Sequence, residues 1–327
     1  MNEREKQKLE LLRQRFLEWM EAINYSPKTR VNYARDVRLF LEWVACETEI
    51  QSVAEVTSAH IQQYQLALFQ QEGRAVEGEA KPLSLGAQAN KLAAVRKFFQ
   101  WLLGEGMLAH NPSASLEFPK RGRPLPRNVL TPEEARRLIE ATPIKKPRDI
   151  RDRALIEVLY ATGIRRAELI ALTIYDLDLL AATLKVERGK GDFTRIVPLT
   201  SSAMAALKLY LDESRPVYAK HAPQVSLFVS SRSGGPLDDD DIVRIVQKAA
   251  KRAGIAKHIT PHTLRHSLAT HLLQGQADIR QIQKLLGHRR LTSTEIYTHV
   301  EIGDLQEVIA RCHPREKAPE KRVKGDE

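Results

Sequence analysis

The chain has 327 residues, 43% of them hydrophobic, which suffices for two modest cores and excludes a wholly disordered polypeptide. No apolar run approaches the roughly 18–20 residues of a membrane span, and the opening MNEREKQKLELLRQRF does not read as a signal peptide. The formal charge of +10 is uneven: residues 1–118 hold 14 basic and 15 acidic side chains, whereas residues 119–300 hold 31 and 19. A basic excess confined to one segment fits either a polyanionic partner or a basic solubilising surface. The two cysteines lack metal-ligand spacing. Cys46 is expected as a small core or surface residue and Cys312 as an exposed thiol in the tail, a usage that suits a reducing, cytoplasmic setting.

The first 118 residues read as almost wholly helical. Leu9, Leu12, Phe16 and Met20 mark a helix over 3–22. Ser26-Pro27 supplies an N-cap and a first-turn proline for a second helix to about Ala45, with Val31, Val37, Phe40, Leu41 and Val44 as its apolar stripe. A third helix covers about 57–71, a polar loop 72–84, and a fourth helix 85–103 with Leu92, Val95, Phe99 and Leu102 at helical period. Lys28, Arg30, Arg35 and Arg38 in the second helix, and Lys91, Arg96 and Lys97 in the fourth, are candidates for phosphate contact or for solvated faces. FPKRGRPLPRNV at 118–129 holds three prolines and four basic residues with no apolar period, so it reads as a linker.

Thr131-Pro132-Glu133-Glu134 is a capping box that opens the second domain. A helix is predicted from Asp149 to Thr162, stopping at Gly163. TLKVER and TRIVPL flank a Gly-Lys-Gly turn as a hairpin. Helices follow at about 201–213, 238–253, 262–273 and 279–286, with a brief strand at 226–230. A last helix at about 302–311, carrying Leu305, Val308 and Ile309, either docks on a neighbouring subunit or packs on its own domain. The fold class is therefore mainly α and two-domain: 1–118, a linker at 119–129, a mixed α/β domain with a small antiparallel sheet at 130–312, and a charged, flexible tail at 313–327.

Within the second domain, basic residues precede one tyrosine in a fixed order. Arg165 in ATGIRRAEL offers a rigid guanidinium fork suited to two phosphate oxygens, and Glu168 is close enough to steady it, while Arg166 should face backbone or solvent. Lys190 sits at the hairpin tip between two glycines, where an ammonium can protonate a leaving oxygen. His262 and Arg265 are three apart at a helix start and project from one side. His262 and His266 have metal-ligand spacing but neither a zincin glutamate nor a third ligand, so His266 and His271 read as packing or hydrogen-bonding residues. His288 follows a glycine helix stop, and Tyr297 rides on a short helix opened by the Thr292–Glu295 capping box. His299 is a further polar candidate. A phenol with a pKa of about 10 is a weak nucleophile, and a phosphodiester resists attack because charge accumulates on its oxygens. Cations converging beside a tyrosine address both problems.

With these motifs, the sequence resembles the tyrosine recombinase, or phage integrase, family, nearest to its bacterial Xer branch. The resemblance spans nearly the whole chain and implies an N-terminal four-helix, SAM-like core-binding domain ahead of a catalytic domain. It assigns Arg165, Lys190, His262, Arg265, His288 and Tyr297 as catalytic, with Glu168 supporting. It implies no metal and no cofactor. Expected partners are double-stranded DNA bearing core sites, a homotetramer or a heterotetramer with a paralogous recombinase, and an accessory protein. Arg166-Ala167 and Phe193 depart from the usual family residues without removing a catalytic group. The long 72–84 loop and the tail leave room for a mobile-element integrase. A type IB topoisomerase, which shares the chemistry, and a non-catalytic DNA-binding protein compete with the recombinase.

Overall fold

A computed structural model describes residues 3–47, 50, 52–71, 82–120, 129–187, 194–219, 224–287 and 299–316. The chain divides into two compact units, Met1–Pro124 and Leu125–Glu327. No described helix is long and apolar enough to cross a membrane.

The first unit is built from α1 (Glu3–Ala22), α2 (Pro27–Glu47), α3 (Ser58–Gln70) and α4 (Leu85–Gly104). Its core is aromatic. Phe16 meets Phe98 edge-on at 5.4 Å between ring centroids, and Phe40 meets Tyr64 at 5.0 Å and Phe99 at 5.7 Å in the same geometry. Val37, Phe40, Leu41 and Val44 are buried as expected, but Val31 is 67% exposed. Six residues before Val37 it stands about 120° off the stripe at 100° per residue, so the helical period itself excludes it. The basic residues of α2 and α4 mostly have partners inside the unit. Arg35 and Lys91 both approach the buried Asp36, Arg30 pairs with Glu21 and Arg38 with Glu42. Lys97 lies over the rings of Trp19 and Tyr25, and Arg96 over Phe118.

The second unit opens on α5 (Pro132–Glu140), where Thr131 Oγ1 accepts from the Glu134 N–H at 3.1 Å and Glu134 accepts from the Thr131 N–H at 2.8 Å. Helix α6 (Pro147–Thr162) begins two residues earlier than expected, with proline in its first turn, and is buried along most of its length. Gly163 stops it at φ +62°, a conformation that strains other residues, and a Cβ there would have to displace methyls of Leu286 at 2.6 Å and Leu268 at 2.9 Å. Then come α7 (Arg166–Ala171) and a three-stranded antiparallel sheet in the order β1 (Leu177–Asp178), β2 (Thr183–Glu187), β3 (Thr194–Pro198). β1 is an addition to the expected hairpin.

The helix expected at 201–213 is α8 (Ser201–Leu209), a π turn at Tyr210–Ser214 and α9 (Arg215–Tyr218). The strand expected at 226–230 is absent as such; only isolated bridges Thr173↔Ser226 and Val229↔Pro236 form there. Side chains take several of its backbone groups. Tyr210 Oη donates to Leu227 O at 2.9 Å and accepts from Val229 N–H at 3.1 Å, and Arg215 donates to Ser226 O. Helices α10 (Asp239–Arg252), α11 (Pro261–Gln274), α12 (Ile279–Leu286) and α13 (His299–Cys312) complete the unit.

Helix α13 packs on its own domain through Leu305, Val308, Ile309 and Cys312. Cys312 is 1% exposed, against the expectation of a surface thiol, and Cys46 is the exposed one. The reason is Gly275 at the end of α11, where a Cβ would stand 2.9 Å from the Cys312 carbonyl oxygen, so the absent side chain lets α13 come close. Residues 313–316, which the expected tail includes, are packed on the domain. His313 is fully buried, Arg315 pairs with the buried Glu157, and Glu316 accepts from the Ser201 N–H at 2.6 Å. His271 fulfils its expected hydrogen-bonding role: Nε2 donates to Leu130 O at 2.7 Å, while Nδ1 lies 2.8 Å from Tyr160 Oη. His266, by contrast, is exposed.

Candidate active site

Arg165 is the N-cap residue of α7, placed immediately after the turn that Gly163 enforces. Its backbone N–H donates to Glu168 Oε2 at 2.8 Å and its Nη1 to Oε1 at 2.9 Å. Glu168 thus caps the helix start and steadies the guanidinium at once, the supporting role its i+3 spacing suggests. The Arg165 side chain is 41% exposed, so part of its guanidinium faces solvent. Arg166 turns away as expected, but to a carboxylate: its Nη2 meets Asp239 at 2.8 Å.

Arg265 is carried on α11 and is 6% exposed; His262, three residues earlier, is exposed. Arg265 Nη1 donates to Gly163 O and Nη2 to Leu286 O at 2.7 Å. Arg165 Nη2 donates to the next carbonyl, Gly287 O, at 3.2 Å. Gly287 ends α12 in the left-handed region at φ +65°. The last carbonyls of a helix lack intrahelical donors and carry partial negative charge, so they suit guanidinium partners.

A third arginine, which no sequence motif had marked, takes the carbonyl before these two. Arg195 on β3 donates from Nε to Leu285 O at 3.2 Å, and from Nη1 and Nη2 to Glu168 at 3.1 and 2.8 Å. It is 4% exposed and stands in register with Val186. The signal was present in the alternation of TRIVP, which turns Arg195 and Val197 to one face: a charge on the core side of a strand requires a partner. Burial pushes the Glu168 carboxyl up, but the hydrogen bonds and charge of Arg195, followed by those of Arg165, outweigh it and bring the group down to about 2.

The structure therefore brings Arg165, Glu168 and Arg265 together at the end of α12 and adds Arg195, with His262 on the helix that bears Arg265. Lys190, His288 and Tyr297 lie outside the described residues, and His299 is described only as the first residue of α13. Of the residues brought together, the guanidinium groups of Arg165 and Arg265 are of the kind that can hold a tetrahedral anion and offset charge that develops on its oxygens, while Glu168 and Arg195 support them.

The phage integrase family profile matches residues 128–303, and the profile of the phage integrase N-terminal SAM-like domain matches 12–107. Tyrosine recombinase XerD of Corynebacterium glutamicum is 39% identical over 293 residues, covering 89% of this chain and 93% of that protein. Tyrosine recombinase XerC of Pelobacter propionicus is 40% identical over 298 residues, with 91% and 93% covered. In fold, the chain is similar to XerH site-specific recombinase bound to a palindromic difH substrate (TM-score 0.64, 23% identity, 86% and 79% covered). It is likewise similar to a lambda integrase dimer bound to a core site (TM-score 0.63, 19% identity, 88% and 99% covered). Near-complete coverage by the recombinase relatives, together with the arginine-lined end of α12, places the chain in the phage integrase family as an Xer-like site-specific tyrosine recombinase.

Proposed function

We propose that the chain cuts and rejoins double-stranded DNA at specific core sites through a covalent bond between Tyr297 and a 3′ phosphate. The observation that carries this reading is the pairing of Arg165 and Arg265 on successive carbonyls at the end of α12, one residue before His288 in sequence. Tyr297 Oη attacks phosphorus as the bond to the 5′ oxygen breaks. His262 takes the phenol proton and Lys190 delivers one to the departing oxygen. Arg165, Arg265 and His288 offset the charge gathered on the nonbridging oxygens. The phosphotyrosyl bond conserves the energy of the broken linkage, so a 5′-hydroxyl from a partner strand can restore a diester without ATP. Guanidinium groups supply the stabilisation that other phosphoryl-transfer enzymes draw from Mg²⁺, and no metal is required.

On this reading, the N-terminal domain at 1–118 and the catalytic domain at 130–312 bind one duplex, joined by the linker at 119–129. Two duplexes and four active sites then form a tetramer on DNA, of one chain or of two paralogues. Relatives named XerC and XerD match along most of the chain, which favours resolution of chromosome or plasmid dimers in the cytoplasm over integration of a mobile element. The deciding experiment traps the covalent complex on a nicked suicide duplex and maps the bound sequence. Tyr297→Phe is expected to abolish the trapped species while DNA affinity stays nearly intact. A Y297F protein that still cleaves would overturn the nucleophile.

A further inference from the structure

Glu168 and the last turn of α12 are shared by three arginines with different freedom. Arg165 is half open to solvent, with two of its five N–H donors spent on the described residues Glu168 and Gly287. Arg265 is nearly buried and bridges Gly163 O to Leu286 O. Arg195 is buried, and each of its three guanidinium nitrogens is used within the domain. With three of its five N–H donors spent and 4% of the residue exposed, it offers far less to a phosphate than Arg165 does.

Its effect passes through its partners. A carboxylate can take a guanidinium fork with both oxygens. On Glu168 that bidentate position belongs to Arg195, so Arg165 reaches the carboxylate with a single side-chain nitrogen. Were Arg195 removed, both Glu168 oxygens would be open to the Arg165 fork, which would turn inward from the exposed side. The α12 corner would loosen with it, because Leu285 O would lose its donor. A Cβ on Gly287 would lie only 3.1 Å from the Arg195 guanidinium, so the corner is packed directly on this side chain. The charge is otherwise hard to explain. Buried ion pairs contribute little to stability against an apolar replacement of similar volume.

We propose that Arg195 is a positioning residue for strand cleavage, occupying Glu168 and bracing the α12 corner so that Arg165 keeps its outer edge turned to the scissile phosphate. The inference rests on the phosphate role proposed for Arg165, and it extends the site to the base of the hairpin.

The test is a double-mutant cycle on the full chain, read by single-turnover cleavage of a nicked suicide duplex, with DNA affinity and thermal melting measured in parallel. Arg195→Met is expected to slow cleavage about 100-fold, the scale of a misplacement of about 1 Å. Affinity should stay within about threefold. Arg195→Lys, which keeps the charge but loses the fork, should recover part of the rate. In an Arg165→Ala background, R195M should cost less than about threefold more, because its target is already gone. Full additivity in that background, or a wild-type rate for R195M, overturns the proposal. If R195M does not fold, R195K carries the same cycle: sub-additivity with R165A supports the proposal, and additivity or an unchanged rate overturns it. Failure of the underlying reading is seen separately, as an R165A protein that cleaves normally.

Discussion

The two units solve the problem of a rigid interior in different ways. In the first, rings of Phe16, Phe40, Phe98, Phe99, Trp101 and Tyr64 fill the space between four helices, and Asp36 is the one acidic or basic side chain buried among the described residues. In the second, Arg151 with Asp152 and Arg195 with Glu168 are sealed inside, and the buried Glu157 pairs with the part-buried Arg315. Aromatic packing fixes shape at low cost, because apolar burial is non-directional. Buried charge is expensive and directional, and it aims donors at a point. The unit proposed to handle a phosphate is the one that carries that expense.

If this contrast holds, a large cavity in the first unit should destabilise without touching chemistry. Phe98→Ala is expected to cost about 3–5 kcal/mol, read as faster hydrogen exchange in residues 3–120 with the exchange of 129–316 unchanged. The converse is Arg165→Ala, which should remove about 3–4 kcal/mol of transition-state stabilisation, a roughly 10²–10³-fold slower cleavage, while the melting temperature barely moves. A larger loss of stability than of rate would place Arg165 with the structural charges instead.

Acid separates the units next. His313 Nε2 donates to Tyr160 O at 3.3 Å and Nδ1 accepts from the Arg315 N–H at 3.0 Å, so the ring is neutral and both nitrogens are satisfied. Burial, above all, pulls its pKa from 6.5 down to about 4. The unfolded chain therefore binds more protons than the folded one between these values, and the stabilisation present above pH 6.5 is lost as pH falls toward 4. Glu168, ordinarily near 4.5 and here near 2, adds a second loss between those values. Acid titration followed by hydrogen exchange should show the second unit yielding first, and His313→Gln should flatten the upper part of its slope. The smallest effect expected is Thr131→Ala, about 1 kcal/mol from the capping box at α5, seen in a denaturant midpoint.

Sequence periodicity was enough wherever one physical signal acted alone. The Thr131 box, the Gly163 stop and the stripes of α2 and α4 are local signals, and each element formed within a few residues of its expected place. Expectation and structure parted where a distant residue decided the outcome. Residues 226–229 have strand-like composition, yet the hydroxyl of Tyr210 and the guanidinium of Arg215 claim several of their backbone groups. Val31 is a different case, a matter of phase, since helical geometry alone places it outside. For the site, Arg165, Glu168 and Arg265 could be named from motifs because each motif carries its own turn or cap. Arg195 belongs to no such local motif. Its partners lie 27 residues before it and 90 residues after it, and only the tertiary fold joins them.

The close seat of α13 against Gly275 makes Cys312 a clock for that helix. In a Cys46→Ser protein the remaining thiol is shielded while the helix is docked, so its alkylation rate counts undocking events directly. Comparing that rate for the free protein with the rate on a cleaved duplex would report whether the segment downstream of Tyr297 lifts away during exchange.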